Sequence, residues 1–230
     1  KRLRKWDLEH PVGELRVFDS GRKVALASFR WLRVIPLRER TTPRTYLVDT
    51  AIQQTVALDP SGSLATLGGS HGGFTQINLQ TGELREFPAA GNQDAALVSR
   101  WLRALSPTLL LGVARSDTNY SRRDELVRWV LTPTPTVARR VPWKGEVTSF
   151  AVSTAETKYT VAVGTRHGGV QLLDTRLNPV QLLSRPESSQ PKLAHHGSVR
   201  ALCFSPDGTR LHTLGLAALN ATSYEWANRY

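Results

Sequence analysis

The chain has 230 residues, 40% of them hydrophobic and 21% charged, a balance that excludes a wholly disordered polypeptide and suits a folded domain of ordinary size. Arg, Lys, Asp or Pro breaks every apolar run before the roughly 18 residues that a membrane-crossing helix needs, so no membrane span is expected. The formal charge of +11 attracts anionic surfaces, nucleic acid or acidic protein, over about a Debye length.

The single cysteine, Cys203, allows neither an intrachain disulfide nor a multi-cysteine zinc site, which fits a reducing compartment. The expectation is an intracellular protein, nuclear before cytoplasmic. The sequence contains no methionine, and its basic start, Lys1 to Asp7, lacks the apolar stretch of a secretory signal. It reads as a piece of a longer polypeptide.

In chain order, Lys1, Arg2, Arg4 and Lys5 stand beside Trp6, and Arg30, Arg33, Arg38, Arg40 and Arg44 flank Trp31. Interleaved cations and aromatics of this kind are possible nucleic-acid contacts. The plainer alternative is a solvated rim, or an extension docked on an acidic protein. Within the same region, Gly13 to Asp19 reads as an isolated second strand of a hairpin. A β-prone run at Thr55–Leu58 leads into Asp59-Pro60-Ser61-Gly62, where Pro fixes φ and Gly accepts a positive one. Asp94 to Leu105 reads as a short helix or a loop. Asp124 to Val130 reads as a strand after a polar insertion at Ser116–Asn119, and Val147–Val152 as another. Val199–Phe204 precedes a second such turn, Ser205-Pro206-Asp207-Gly208.

Two segments repeat. Leu64 to Leu79 and Val161 to Thr175 each hold a β-prone run, then His-Gly-Gly (His71 and His167), then a second alternating run ending on a polar residue seven positions after the histidine. Glycines between two such runs specify a hairpin. With Phe18, Ile77, Trp129 and Leu173 taken as equivalent, the spacings are 59, 52 and 44 residues. These scatter upward from the roughly 40–45 of a propeller blade, as loop insertions would make them. The organisation is all-β.

The stretch His195-His196-Gly197 through Ser205-Pro206-Asp207-Gly208 to Gly215 closely resembles the WD40-repeat family. Val56 to Leu84 resembles a nearly complete repeat, with Ile77-Asn78 in the Trp-Asp slot. Leu173-Asp174 and Phe18-Asp19 occupy the same slot elsewhere, and Trp129 stands in the Trp position. The resemblance implies a β-propeller of degenerate repeats, with about five recognisable blades of a seven-bladed ring, incomplete in this chain. Other residues of the same polypeptide or a partner chain would close it. Residues 1–50 then form a basic segment and a partial blade, 51–216 the degenerate blades, and 217–230 a segment off the pattern. In the family, an Asp in the hairpin turn, a His opening the blade, a Ser or Thr and the Trp share a buried hydrogen-bond network. Here His71 and His167 stand where that Asp belongs, so the network is expected to be missing from most blades, leaving apolar packing to hold them.

No His-x-x-x-His pair, Gly-x-Ser-x-Gly elbow or phosphate-binding Gly-Lys-Ser/Thr loop occurs in the sequence. Neither a metal, a cofactor nor an enzymatic activity is expected, and Cys203 reads as a packed thiol on a strand. Asn220-Ala221-Thr222 has the form of a glycosylation sequon, which chance explains. Leu173-Asp174-Thr175-Arg176 resembles the Trp-Asp-x-Arg box through which some propellers dock on the adaptor of cullin-based ubiquitin ligases. That resemblance implies partner-binding roles for Asp174, which would tie down the strand end, and for Arg176, which would project. The leading expectation is a non-catalytic scaffold joining protein subunits of a multi-subunit complex. The alternatives are a basic propeller on DNA or RNA in a chromatin or ribonucleoprotein assembly, and a substrate receptor of a ubiquitin ligase.

Overall fold

A computed structural model describes residues 12–37, 42–48, 52–69, 73–89, 97–118, 121–132, 135–153, 155, 161–183, 194–195, 197–216 and 221–225. Among these there is no helix, and therefore none long and apolar enough to cross a membrane. The strands form antiparallel sheets in strict chain order. Sheet 1 holds β1 (Glu14–Phe18), β2 (Lys23–Ala27), β3 (Trp31–Pro36) and β4 (Arg44–Leu47), and sheet 2 holds β5 (Ile52–Leu58), β6 (Leu64–Gly69), β7 (Phe74–Asn78) and β8 (Leu84–Phe87). Sheet 3 holds β9 (Leu97–Ser106), β10 (Leu109–Thr118), β11 (Ser121–Val130) and β12 (Thr136–Pro142). Sheet 4 holds β13 (Val147–Val152), β14 (Val161–Thr165), β15 (Val170–Leu173) and β16 (Pro179–Leu183). A three-stranded sheet 5 holds β17 (Val199–Phe204), β18 (Arg210–Gly215) and β19 (Ala221–Glu225).

The first strand of every sheet, β1, β5, β9, β13 and β17, contributes to the wall of one shared central cavity. The sheets therefore radiate from a common axis like propeller blades. Successive residues of a strand face opposite neighbours, so an inner strand must be apolar on both sides. Ala25, Ala27 and Leu32 of sheet 1 pack on Val56, Ala65, Leu67 and Ile77 of sheet 2. Ala57, Phe74 and Phe87 of sheet 2 pack on Leu102, Leu110, Val127 and Trp129 of sheet 3, with Phe74 and Trp129 edge to face at 5.4 Å and 74°. Leu111, Val113 and Leu126 then meet Val147, Val161, Val163 and Leu173 of sheet 4. Ala162, Leu172 and Leu183 meet Val199 and Leu211 of sheet 5.

These interfaces correct the repeat. Ile77, Trp129 and Leu173 all lie on third strands and face the preceding sheet, paired with Ala65, Leu110 and Val161. Phe18 instead ends the first strand of its sheet, and Asp19 sits in the β1–β2 turn, ion-paired with Lys23 at 3.0 Å. The residue of sheet 1 in the Ile77 position is Ile35, paired with Val24 and packed with Leu26 and Trp31. It precedes Ile77 by 42 residues, inside the propeller period that Phe18 missed. The stretch read as a partial blade carries a full four-stranded sheet, Gly13 to Asp19 is an inner strand and no hairpin's second, and Leu97–Ser106 is a strand where a helix or loop was expected. The segment after 216 contributes β19, paired with β18 from Arg210 to Leu214.

The turns follow the residues that make them. Gly62 and Gly208, in the two Pro-containing turns, have φ of 69° and 68°, and Gly168 of the second His-Gly-Gly has 90°. Close approach adds a second constraint at Gly168, where a Cβ would lie 1.9 Å from the carbonyl oxygen of His195, which opens the next sheet. By contrast Gly145, with φ of 95°, has nothing within 4 Å. Gly145→Ala should therefore cost about 1 kcal/mol, from backbone strain alone. Gly168→Ala should cost at least about 2 kcal/mol more, because the carbonyl must also move. Urea unfolding of the two variants measures the difference, and equal midpoints would contradict the packing described.

Candidate functional site

Antiparallel order puts the β6–β7, β10–β11 and β14–β15 hairpin ends, with the links into each next sheet, on one side of the ring, here the upper side. Turns such as β5–β6 and β7–β8 lie on the lower side. On the lower side the sequence-predicted positions act as turn caps. Asn78 Oδ1 accepts from the backbone N–H of Gln80 at 2.9 Å and of Thr81 at 3.1 Å. Asp174 Oδ1 accepts from those of Arg176 and Asn178, both at 2.8 Å, and Oδ2 accepts from Asn178 Nδ2 at 2.8 Å. Burial pushes the Asp174 carboxyl up, but the Asn178 and Arg176 donors and the charge of Arg139 together hold it below the usual carboxylate range. Arg176 is exposed beyond this capped turn. Asp207 Oδ1 accepts from Ser205 Oγ at 2.5 Å and from the N–H of Thr209 at 3.1 Å, and is held down to about 2.

His195 is buried, its Nε2 lies 2.7 Å from Thr213 Oγ1, and its N–H donates to Gly168 O at 3.0 Å. A buried His–Thr contact of the kind the resemblance implied therefore exists in sheet 5. His167 is exposed in the β14–β15 turn. Cys203, expected to be packed, is exposed, because the side of β17 away from sheet 4 has no sheet on it among the described residues.

Among the cations predicted from sequence runs, the described residues include Arg33 and Arg44. Lys1, Arg2, Arg4, Lys5, Arg38, Arg40 and His71 lie outside the described residues. Arg33 stacks over Trp31 at 5.1 Å and donates to Thr45 Oγ1, while Arg44 donates to Gln80 O at 3.2 Å on the lower side. The register pairs Arg33 with Thr45 and Val34 with Arg44, so the two guanidiniums leave opposite faces of sheet 1.

Two other clusters form on the upper side. The first is a groove of about 860 Å³ between sheets 3 and 4, lined by Arg115, Arg123, Asp124, Trp143, Lys144 and Glu146 among others. At its floor Asp124, with a side chain 1% exposed, meets Arg115 Nε at 3.0 Å and Arg100 Nη1 at 3.5 Å, and accepts from the N–H of Val147 at 2.8 Å. Arg123 and Lys144 are exposed and make no ion pair with the described residues. Trp143 Nε1 is buried without a hydrogen-bond partner among them. The β10–β11 hairpin, with ten residues per strand against five and four in β14 and β15, rises about 15 Å beyond that of sheet 4.

The second cluster is the mouth of the central cavity, about 370 Å³, where Glu14, Arg16, Arg100, Arg103 and Arg200 meet Thr55 and Ser149. Glu14 pairs with Arg16, lies 3.2 Å from Arg103 Nη1 and accepts from the N–H of Val56 at 2.6 Å. Arg103 also donates to Leu102 O at 2.5 Å and Phe150 O at 3.2 Å. Burial, and then the charge of Arg103, pushes the Arg16 guanidinium down to about 9; burial pushes Arg103 down to about 10. Both remain charged at neutral pH. Sequence reading missed this group because Arg16, the Arg100–Arg103 pair and Arg200 lie far apart along the chain. Among the described residues no three His, Cys, Asp or Glu side chains gather as metal ligands.

With this geometry in view, the solved structures place the fold. The chain matches the β-propeller domain of Cps50 (Swd1) from Myceliophteria thermophila at 12% identity and a TM-score of 0.63. It also matches Kuenenia stuttgartiensis hydrazine synthase at 16% identity and a TM-score of 0.64, covering 93% of this chain in both cases. It spans 65% of the Swd1 domain and 71% of the hydrazine synthase chain. No protein-family model matches the sequence, and no curated protein matches it. The fold is a β-propeller-like ring of sheets, shared at this identity by proteins as unlike as a Swd1 domain and hydrazine synthase, so fold alone carries no function.

The Asp174 cap titrates in a defined direction. Its carboxyl is depressed in the folded chain, so the stability it contributes is complete above the ordinary carboxylate pKa of about 4. That contribution is lost as the pH falls through the lower folded-state value. The Arg176 and Asn178 amide resonances should shift with an acid midpoint below that of a free aspartate, and a midpoint at the free value would remove Asp174 as the cap.

Proposed function

We propose that the chain is a non-catalytic, WD40-type interaction scaffold that holds an acidic protein partner in the upper groove between sheets 3 and 4. The observation that carries this reading is the composition of the groove. Arg123 and Lys144 are exposed cations that make no ion pair with the described residues, beside a Trp143 indole N–H that is buried and unpartnered among them. Trp and Arg anchor protein interfaces, and an indole N–H usually finds a partner once water is excluded. Arg123 stands on β11, and Trp143 and Lys144 stand on the short link from β12 to β13, whose Trp143 N–H donates to Asp124 O at 2.9 Å.

The chain forms part of a larger, seven-bladed ring. In support of this, Leu15, Val17 and Leu47 are 55%, 58% and 72% exposed on the leading sheet, and Leu214 is 36% exposed on sheet 5. Apolar strands at the open ends of a propeller are covered when the ring is closed.

Affinity purification with and without nuclease tests the scaffold reading. Protein partners should survive nuclease and fall by about tenfold on Arg123→Glu with Lys144→Glu, a loss of ~1.4 kcal/mol. Retention that nuclease abolishes would replace the scaffold with a nucleic-acid contact. A second reading, docking on the adaptor of a cullin-based ubiquitin ligase, is favoured by Arg176 standing exposed beyond the turn that Asp174 caps. Arg176→Ala should abolish adaptor co-purification while leaving the groove's partners bound, and unchanged adaptor binding would end that reading.

A further inference from the structure

The mouth of the central cavity holds charge that its own residues do not balance. Arg16, Arg103 and Arg200 stand on three different inner strands, and Glu14 is the one carboxylate among the residues that line the cavity with them. Glu14 is shared between Arg16 and Arg103. Arg200 is exposed and makes no ion pair with the described residues. Arg100, the fourth cation of the wall, is directed to Asp124, which Arg115 also holds. Guanidiniums gathered in a partly desolvated site repel one another and lose hydration, a cost that an anion removes.

Unused hydrogen-bonding capacity marks the same place. Arg16 Nε is buried without a hydrogen-bond partner among the described residues, and Arg16 lines this cavity, while the likewise unpartnered hydroxyls of Thr55 and Ser149, two further lining residues, lie against Gly68 and Gly164. Thr55 and Ser149 are only 4% and 5% exposed. Native structures leave few such atoms, and an unused guanidinium donor at the cavity wall points to a missing acceptor. Guanidinium forks match the paired oxygens of phosphate. The volume, near the lower end for ligand pockets, favours a small guest.

We propose that the cavity mouth is a binding site for a small tetrahedral oxyanion, inorganic phosphate or the phosphate group of a small metabolite, held by Arg16, Arg103 and Arg200. The site is separate from the groove, with which it shares no lining residue, so it stands or falls independently of the scaffold reading.

The test is thermal unfolding and calorimetric titration of the full chain with sodium phosphate, sulfate or glycerol 3-phosphate, against chloride at matched ionic strength. Phosphate and sulfate should each raise the melting temperature above chloride, with saturation. Arg200→Ala, which removes an exposed side chain without an ion pair, should weaken phosphate binding about tenfold while leaving the melting temperature in chloride unchanged. Arg16→Lys, which keeps the charge but removes Nε, should weaken it as well, and protects the test should a charge-removing change at Arg16 unfold the chain. Tighter binding of glycerol 3-phosphate than of phosphate identifies a metabolite as the source, and the reverse order identifies the free ion. No stabilisation beyond chloride, or equal phosphate affinity in the wild type and Arg200→Ala, overturns the proposal.

Discussion

Each four-stranded sheet of this chain is too small to bury its own apolar residues, and the fold depends on every sheet hiding both faces against its neighbours. That requirement shapes the sequence strand by strand. β14 reads Val161-Ala162-Val163, with Val161 and Val163 facing sheet 3 and Ala162 facing sheet 5. Outer strands such as β8 and β12 touch no apolar core along most of their length and are mainly exposed. Between sheets, side chains of the next sheet come close against glycine backbone. A Cβ on Gly68 would lie 2.0 Å from Ser99 Oγ of sheet 3, and one on Gly164 would lie 2.7 Å from Val199 Cγ1 of sheet 5. Burial at about 1.5–3 kcal/mol per large side chain outweighs the roughly 1 kcal/mol of a single His–Thr hydrogen bond. The ring can therefore lose most of its polar network and keep its form.

The same physics explains which parts of the fold the sequence reveals. Hairpins turned by glycine and Pro-containing turns are local, and Gly62, Gly168 and Gly208 make them legible. Capping is chemically degenerate, so Asn78 and Asp174 do one job with different side chains. Asp59 and Ser205 likewise both accept, through their side chains, from the first N–H of the returning strand. A repeat conserved in role and not in identity is visible to physical reasoning while no family model matches it. Two misreadings have particular causes. β9 is bulged against β10 at two places, which breaks its two-residue alternation and leaves Trp101, Leu102 and Leu105 at a helix-like spacing. Ile35 was hidden because Pro36 follows it, where Ile77 and Leu173 are followed by a polar cap.

The functional surfaces were less legible because charge that clusters along a chain need not cluster in space. The run from Arg30 to Arg44 crosses a β-ladder whose pleat sends Arg33 and Arg44 to opposite faces of one sheet. Arg16, Arg103 and Arg200 are far apart in sequence and each resembles a solvated strand residue. They meet because each occupies an inner strand of a different sheet, a relation that only the radial arrangement creates.

That convergence also accounts for the polar ties between sheets. Around the axis the inner strands enclose a cavity, and sheets are joined there by polar groups that reach from one inner strand to another. Glu14 bridges sheet 1 to Val56 of sheet 2 and to Arg103 of sheet 3, and Arg103 continues to Phe150 O of sheet 4. Thr148 Oγ1 donates at 2.7 Å to Val199 O of sheet 5. Asp124 makes a parallel tie from sheet 3 to Val147 of sheet 4, and holds Arg100 of the channel wall together with Arg115 of the groove. One buried carboxylate thus stands between the two upper clusters. The position of Arg100, and with it the positive field at the channel mouth, is set by a residue whose other contacts build the groove.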